Sequence, residues 1–133
     1  MPQATDLTIA NGQATPVNKT FTLIAPASGN GGIAEWMLKE GTISAVFPSI
    51  TFMAERQATN KTRKGRVKIR VPSSFVDSTT GLTNAGPAYE FNGNWTVPDD
   101  FPESSKADAA AYVFNGLATA LFKTLLKDAT PAT

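Results

Sequence analysis

The sequence contains no cysteine and no histidine. The absence of cysteine excludes disulfide bonds and thiolate metal sites, and the absence of histidine removes the commonest general base and metal ligand. Any catalysis would have to rely on carboxylates, lysine, tyrosine or hydroxyl groups. We therefore expect a non-enzymatic protein with no metal and no cofactor, and a carboxylate-based enzyme is a distant alternative.

Long apolar runs are missing as well. The N-terminal stretch MPQATDLTIANG has neither the basic segment nor the apolar run of a signal peptide. No window approaches the roughly 18 apolar residues that cross a bilayer, so no membrane partner is expected. With 133 residues, of which 41% are hydrophobic, the chain is predicted to form a single domain over residues 1–133.

Net charge is also small, but the positive charge is concentrated in one segment. The formal net charge is +1, yet more than half of the 12 Lys and Arg residues lie within Arg56–Arg70. More than half of the 11 acidic residues lie within Asp77–Asp108. A local positive field of this kind suits a protein that presents one basic surface.

The basic segment has the period of a β-hairpin. From Arg66 to Val71, cations alternate with β-branched residues, which predicts a strand with one charged and one apolar face. Ile50–Glu55 also alternates, and the polar residues Gln57–Gly65 connect the two strands. The pattern leaves two interpretations open: a solvated or lysine-guarded sheet surface, or a face that binds a polyanion.

Further strands are predicted on both sides of this hairpin. Residues 5–25 read as an N-terminal β-hairpin, Ile33–Leu38 as a strand, and Tyr89–Val97 as the last strand. Pro72 is expected to end the second basic strand, because proline lacks a ladder donor. The Ser-, Thr- and Gly-rich segment Ser73–Ala88 is expected to be a long loop.

The C-terminal segment, residues 105–128, has a helical period. Ser105 is the expected N-cap, and whether the segment forms one helix or two is left open. The class is therefore α+β, with an antiparallel sheet over residues 32–98 followed by helix. One helical segment leaves such a sheet under-covered, so we expect it to reach a partner subunit through an apolar stripe. The stripe consists of Phe114, Leu117, Leu121 and Leu125.

Several motifs resemble those of levivirus coat proteins, the shell subunits of single-stranded RNA bacteriophages. Asn30–Trp36 is similar to the family's N-G-[VI]-A-E-W strand. An Arg-Lys hairpin, a strand ending in Val-Pro, an Asn-bearing strand ending in Thr-Val-Pro and a closing Leu-Leu-Lys-Asp follow in the family's order. The resemblance covers residues 5–128.

The resemblance implies a specific architecture and function. The family fold has an N-terminal hairpin, a five-stranded antiparallel sheet and two C-terminal helices that clasp the partner's sheet in an intertwined homodimer. Dimers assemble in the bacterial cytoplasm into the icosahedral shell of the virion, with the sheet facing genomic single-stranded RNA. The same face binds a stem-loop at the replicase start and represses translation. A dimeric RNA-binding regulator without a shell is the alternative.

The resemblance also assigns RNA-contacting positions, and they fall on nearly the face that alternation selects. Cations suit phosphates, whereas hydrogen-bonding side chains and flat surfaces suit looped-out bases. Glu90 stands where well-known members have a base-stacking aromatic residue, which argues against an identical pose of a specific hairpin. Ile33 falls at a minor contact. The assigned positions are Thr51, Met53, Lys64, Arg66, Lys68, Glu90, Asn92 and Asn94.

Overall fold

The computed structural model describes residues 2–133. The chain divides into two compact units, of which the first ends at Val97 and the second is Pro98–Thr133. The first unit holds the sheet and the second holds the helices.

The strands form one six-stranded sheet in chain order, β1 to β6. Strand β2 pairs antiparallel with both β1 and β3, so the expected N-terminal hairpin is part of the sheet. The sheet therefore has six strands, whereas a five-stranded sheet in addition to the hairpin was expected. With the two C-terminal helices described below, this confirms the α+β class. The strands are β1 Leu7–Ala10, β2 Asn18–Ala25, β3 Ile33–Met37, β4 Ser49–Gln57, β5 Thr62–Val76 and β6 Thr83–Pro98.

The register between β4 and β5 determines which side chains share a face. Thr51 lies opposite Lys68, and Met53 lies opposite Arg66. The alternate positions pair apolar residues, such as Ile50 with Ile69 and Phe52 with Val67. Since neighbouring residues of a strand point to opposite faces, a slip of one residue would put the cations among the apolar side chains. The predicted basic hairpin is confirmed.

The prediction of a long loop over Ser73–Ala88 is wrong. Strand β5 continues to Val76 and β6 begins at Thr83, so only a short turn connects them. The Asp77 side chain accepts hydrogen bonds from the backbone N–H groups of Thr79 at 2.7 Å and Thr80 at 3.2 Å. Gly81 has a φ of 70°, which glycine adopts without strain. This turn chemistry lets the two strands extend and pair.

Pro72 lies inside β5 and does not end it. The pairing of β5 with β4 reaches only as far as Arg70, opposite Ser49, among the described residues. Beyond that point, within the described residues, β6 is the neighbour that the strand order leaves for β5. A strand with one open edge tolerates proline, because the missing N–H need not interrupt a ladder on that side.

The first unit buries few apolar side chains in the single chain. On the apolar face, Phe52 and Trp95 pack with ring centroids 5.4 Å apart, yet each remains 39% exposed. These two aromatic side chains of the sheet therefore keep much of their apolar surface exposed. The buried apolar residues in the described chain are Phe21, Ala34, Val46 and Ile50.

The second unit contains α1, Glu103–Leu117, and α2, Ala120–Asp128. The prediction of Ser105 as the N-cap is wrong, because the N-cap position is held by Pro102, three residues earlier, and α1 begins at Glu103. A Glu103–Lys106 ion pair of 2.7 Å supports the first turn, where an acidic side chain also complements the helix dipole.

The break between the helices occurs at Thr119. This residue has an extended backbone, with ψ of 153°, and its hydroxyl accepts a hydrogen bond from the Phe122 N–H at 3.4 Å. Thr119 is thus the N-cap of α2, and the two helices bend by 59° without a proline. No single helix in residues 2–133 is long and apolar enough to cross a membrane, whereas the bent pair together meets those length and composition criteria.

A glycine beneath an aromatic ring gives a test of this packing. A Cβ added at Gly65 would overlap atoms of the Trp95 indole, whereas a Cβ added at Gly12 would have no heavy atom within 4 Å. We expect Gly65→Ala to lower the free energy of unfolding by about 1–3 kcal/mol, because overpacking forces the ring or the backbone to move.

Thermal and urea denaturation would measure the change, with Gly12→Ala as the matched control. Equal stability of the two variants would contradict the described contact between Gly65 and Trp95.

Candidate nucleic-acid interface

One face of β4, β5 and β6 carries all eight positions expected to contact RNA, and we call it the basic face. The β4–β5 register places Thr51 and Met53 beside Lys68 and Arg66. Glu90 on β6 approaches Lys68 and therefore lies on the same side. Asn92 and Asn94 follow at intervals of two residues and share that side. The face comprises Thr51, Met53, Glu55, Lys64, Arg66, Lys68, Arg70, Glu90, Asn92 and Asn94.

A shallow depression of about 410 Å³ lies on this face. Four of the expected RNA-contacting residues line it together with two further polar residues of β4. Guanidinium, ammonium, amide and carboxylate groups line it together with the thioether of Met53, so the depression combines hydrogen-bonding groups with a soft apolar surface. Its lining residues are Met53, Glu55, Gln57, Lys64, Gly65, Arg66, Asn94, Trp95 and Thr96.

The cations of the basic face have different neighbours. Glu90 Oε1 lies 3.9 Å from Lys68 Nζ and 3.5 Å from Arg70 Nε. Lys64 lies opposite Glu55 in the register. Arg66 lies opposite the uncharged Met53 and is exposed, and it forms no ion pair within residues 2–133. The face is therefore a mosaic of charges in which Lys68 and Arg70 are paired with Glu90, whereas Arg66 has no carboxylate partner within residues 2–133.

Strand β3 adds two residues to the basic side of the sheet, and only one of them was expected to contact RNA. Ile33 lies opposite Met53, and Glu35 lies opposite Thr51, so both side chains are on the basic side of the sheet. Ile33 was expected as a minor contact, but Glu35 was not expected. Arg70 was also missed as a site residue, although the alternation from Arg66 to Val71 already placed it on this face.

The remaining arginines of the basic segment lie on the opposite, apolar face. Arg56 and Arg63 are paired across β4 and β5. They line a groove of about 750 Å³ together with Trp36 and Phe52. Trp36 Nε1 donates a hydrogen bond of 2.7 Å to the carbonyl oxygen of Thr5, which ties the N-terminal segment to this groove. The cations that lie close together in the sequence are thus divided between the two faces of the sheet.

The expected apolar stripe is divided between the two helices. Phe114 and Leu117 belong to α1, whereas Leu121 and Leu125 belong to α2, on the other side of the 59° bend. Phe114 is 70% exposed and Leu121 is 60% exposed. The helices therefore present large apolar side chains that the single chain does not bury.

Comparisons with known proteins give a consistent result. The family model described as levivirus coat protein matches residues 2–132. Among solved structures, the virus-like particle of bacteriophage NT-214 is 27% identical with a TM-score of 0.84, and the match covers 99% of this chain and 100% of that one. The comparison with curated protein sequences gives no match.

Two more distant structures share the fold. The virus-like particle of bacteriophage ESE058 is 21% identical with a TM-score of 0.81, covering 99% of this chain and 100% of that one. The capsid protein of bacteriophage GA is 15% identical with a TM-score of 0.68, covering 96% and 95%. Because the family model covers nearly the whole chain, this protein belongs to the levivirus coat protein family: it is a structural protein of the viral capsid, located in the virion.

Proposed function

We propose that this capsid protein binds genomic single-stranded RNA on the basic face. The observation that carries the proposal is the β4–β5 register, which places Lys64, Arg66 and Lys68 in one row beside Thr51 and Met53. The alternative of a shell-free regulator is not retained, because the chain is a coat protein. Within the proposal, a stem-loop at the replicase start binds the same face and its binding represses translation.

The chemistry of the face divides into two functions. Lysine and arginine neutralise phosphates, which gives affinity for any RNA and a strong dependence on salt. The side-chain amides of Asn92 and Asn94 are exposed and carry both donors and acceptors, so they suit the edges of unpaired bases. Affinity is therefore expected to come mainly from β5 and discrimination mainly from β6.

Removing two cations tests the phosphate-binding function. In the double variant Arg66→Ala, Lys68→Ala, each lost phosphate contact should flatten the slope of log affinity against log salt by about 0.7–0.9. Binding should weaken for all RNAs alike, whereas Asn92→Ala should reduce discrimination between hairpins and leave the slope nearly unchanged. Filter binding or fluorescence anisotropy at several salt concentrations measures both quantities.

The matched control is Lys123→Ala, Lys127→Ala, which removes the same charge from α2. If the Arg66, Lys68 variant kept wild-type affinity and salt slope while folding normally, the basic face would be a solvated surface and the RNA-binding proposal would be wrong.

We further propose that a second copy of this chain covers the apolar sheet face with its helices. Phe52 and Trp95 are exposed on the sheet, and Phe114 and Leu121 are exposed on the helices, so both surfaces have apolar area to bury. A capsid protein associates with copies of itself, so we propose that the partner at this surface is an identical chain. Burial of these side chains in a dimer would complete the core that the single chain lacks.

Truncating one leucine tests the dimer. Leu121→Ala should raise the dimer dissociation constant by about a thousandfold or more, because losing a buried leucine costs about 2–5 kcal/mol and a symmetric interface loses it twice. Helix formation itself should not suffer, since alanine has a high helix propensity. Sedimentation equilibrium gives the dissociation constant and circular dichroism gives the helix content.

Leu82→Ala is the control, because Leu82 is 65% exposed in the turn between β5 and β6 and lies outside the helices. A well-folded Leu121→Ala protein that dimerises as tightly as this control would show that the helices are not at the interface.

A further inference from the structure

We propose that Glu90 competes with RNA phosphates for the cations of the basic face. Its carboxylate pairs with Lys68 and Arg70 and so lowers the affinity of this face for RNA. The inference rests on the proposed RNA-binding function and adds the element that regulates it. It concerns one carboxylate and two cations, all on adjacent strands.

The geometry places a single carboxylate oxygen between two cations. Glu90 Oε1 is 3.5 Å from Arg70 Nε and 3.9 Å from Lys68 Nζ. The three side chains are between 42% and 44% exposed, so an incoming phosphate can reach the same cationic groups. A phosphate oxygen would have to displace the carboxylate or bind next to a like charge.

The neighbouring cation on β5 provides the contrast. Arg66 lies opposite Met53 and has no ion pair in residues 2–133. Arg66 can therefore meet a phosphate without losing an existing partner, whereas Lys68 and Arg70 together carry one compensating negative charge. These two cations and the Glu90 carboxylate together present one net positive charge to a polyanion.

The expected size of the effect follows from the strength of exposed ion pairs. Such pairs contribute modestly, so releasing these two cations should raise RNA affinity about two- to fivefold. Adding one net positive charge at the site should steepen the salt slope by up to about 0.7–0.9. Both changes are large enough for a binding titration to detect.

The experiment is a binding titration of the full-length chain with a short uridine oligomer at several salt concentrations. Glu90→Gln removes the charge and preserves the shape of the side chain. Glu40→Gln changes the net charge equally at an ion pair outside the basic face, where Glu40 lies 2.9 Å from Lys19. We expect Glu90→Gln to bind more tightly with a steeper salt slope, and Glu40→Gln to bind as the wild type does.

A double-mutant cycle identifies the cation that Glu90 affects. Lys68→Ala should weaken binding more in the Glu90→Gln background than in the wild type, because Lys68 then meets the phosphate uncompensated. Arg66→Ala should cost the same in both backgrounds, since Arg66 does not pair with Glu90.

The outcomes separate this inference from the function on which it rests. If Arg66→Ala weakens binding but Glu90→Gln does not strengthen it, or if Lys68→Ala costs the same in both backgrounds, Glu90 is not a competitor and the inference is overturned. If neither Arg66→Ala nor Lys68→Ala weakens binding, the basic face is not the RNA site and the proposed function fails as well.

Discussion

The pairing of β4 with β5 is the constraint on which the rest of the structure depends. Its register puts Arg66 and Lys68 beside Met53 and Thr51, and it puts Phe52 on the opposite side of the sheet. The period of two makes these assignments inseparable, because no shift of one residue keeps both faces intact. One pairing thus creates a polar face suited to a polyanion and an apolar face whose exposure to water is unfavourable.

The apolar face is the surface that we propose a second copy of the chain covers. Within residues 2–133, the single chain buries four apolar residues and leaves Phe52, Trp95 and the helical Phe114 and Leu121 substantially exposed. Large exposed apolar surfaces are typical of interaction sites. Membership of a coat protein family supplies the context, since a capsid subunit associates with other copies of itself.

Sequence periodicity predicted the strands, the two faces and the helical segment, because those depend on local alternation and burial. It missed the turn that begins at Asp77, so it predicted a long loop where the chain forms a hairpin. Hydrogen bonds to the Asp77 side chain and the left-handed conformation of Gly81 stabilise this turn. It did not locate the helix break at Thr119, which depends on one capping hydroxyl. It also could not connect Glu35 with the basic face, because that requires the register between β3 and β4.

The central claim is that the two faces of one sheet have opposite roles, with RNA on the basic face and protein on the apolar face. Electron cryomicroscopy of particles formed by the expressed chain tests it most directly. The account predicts closed shells in which Arg66 faces the interior beside RNA density and the helices of a neighbouring copy cover Phe52. Shells with Arg66 on the outer surface, or with RNA density against Phe52, would contradict it.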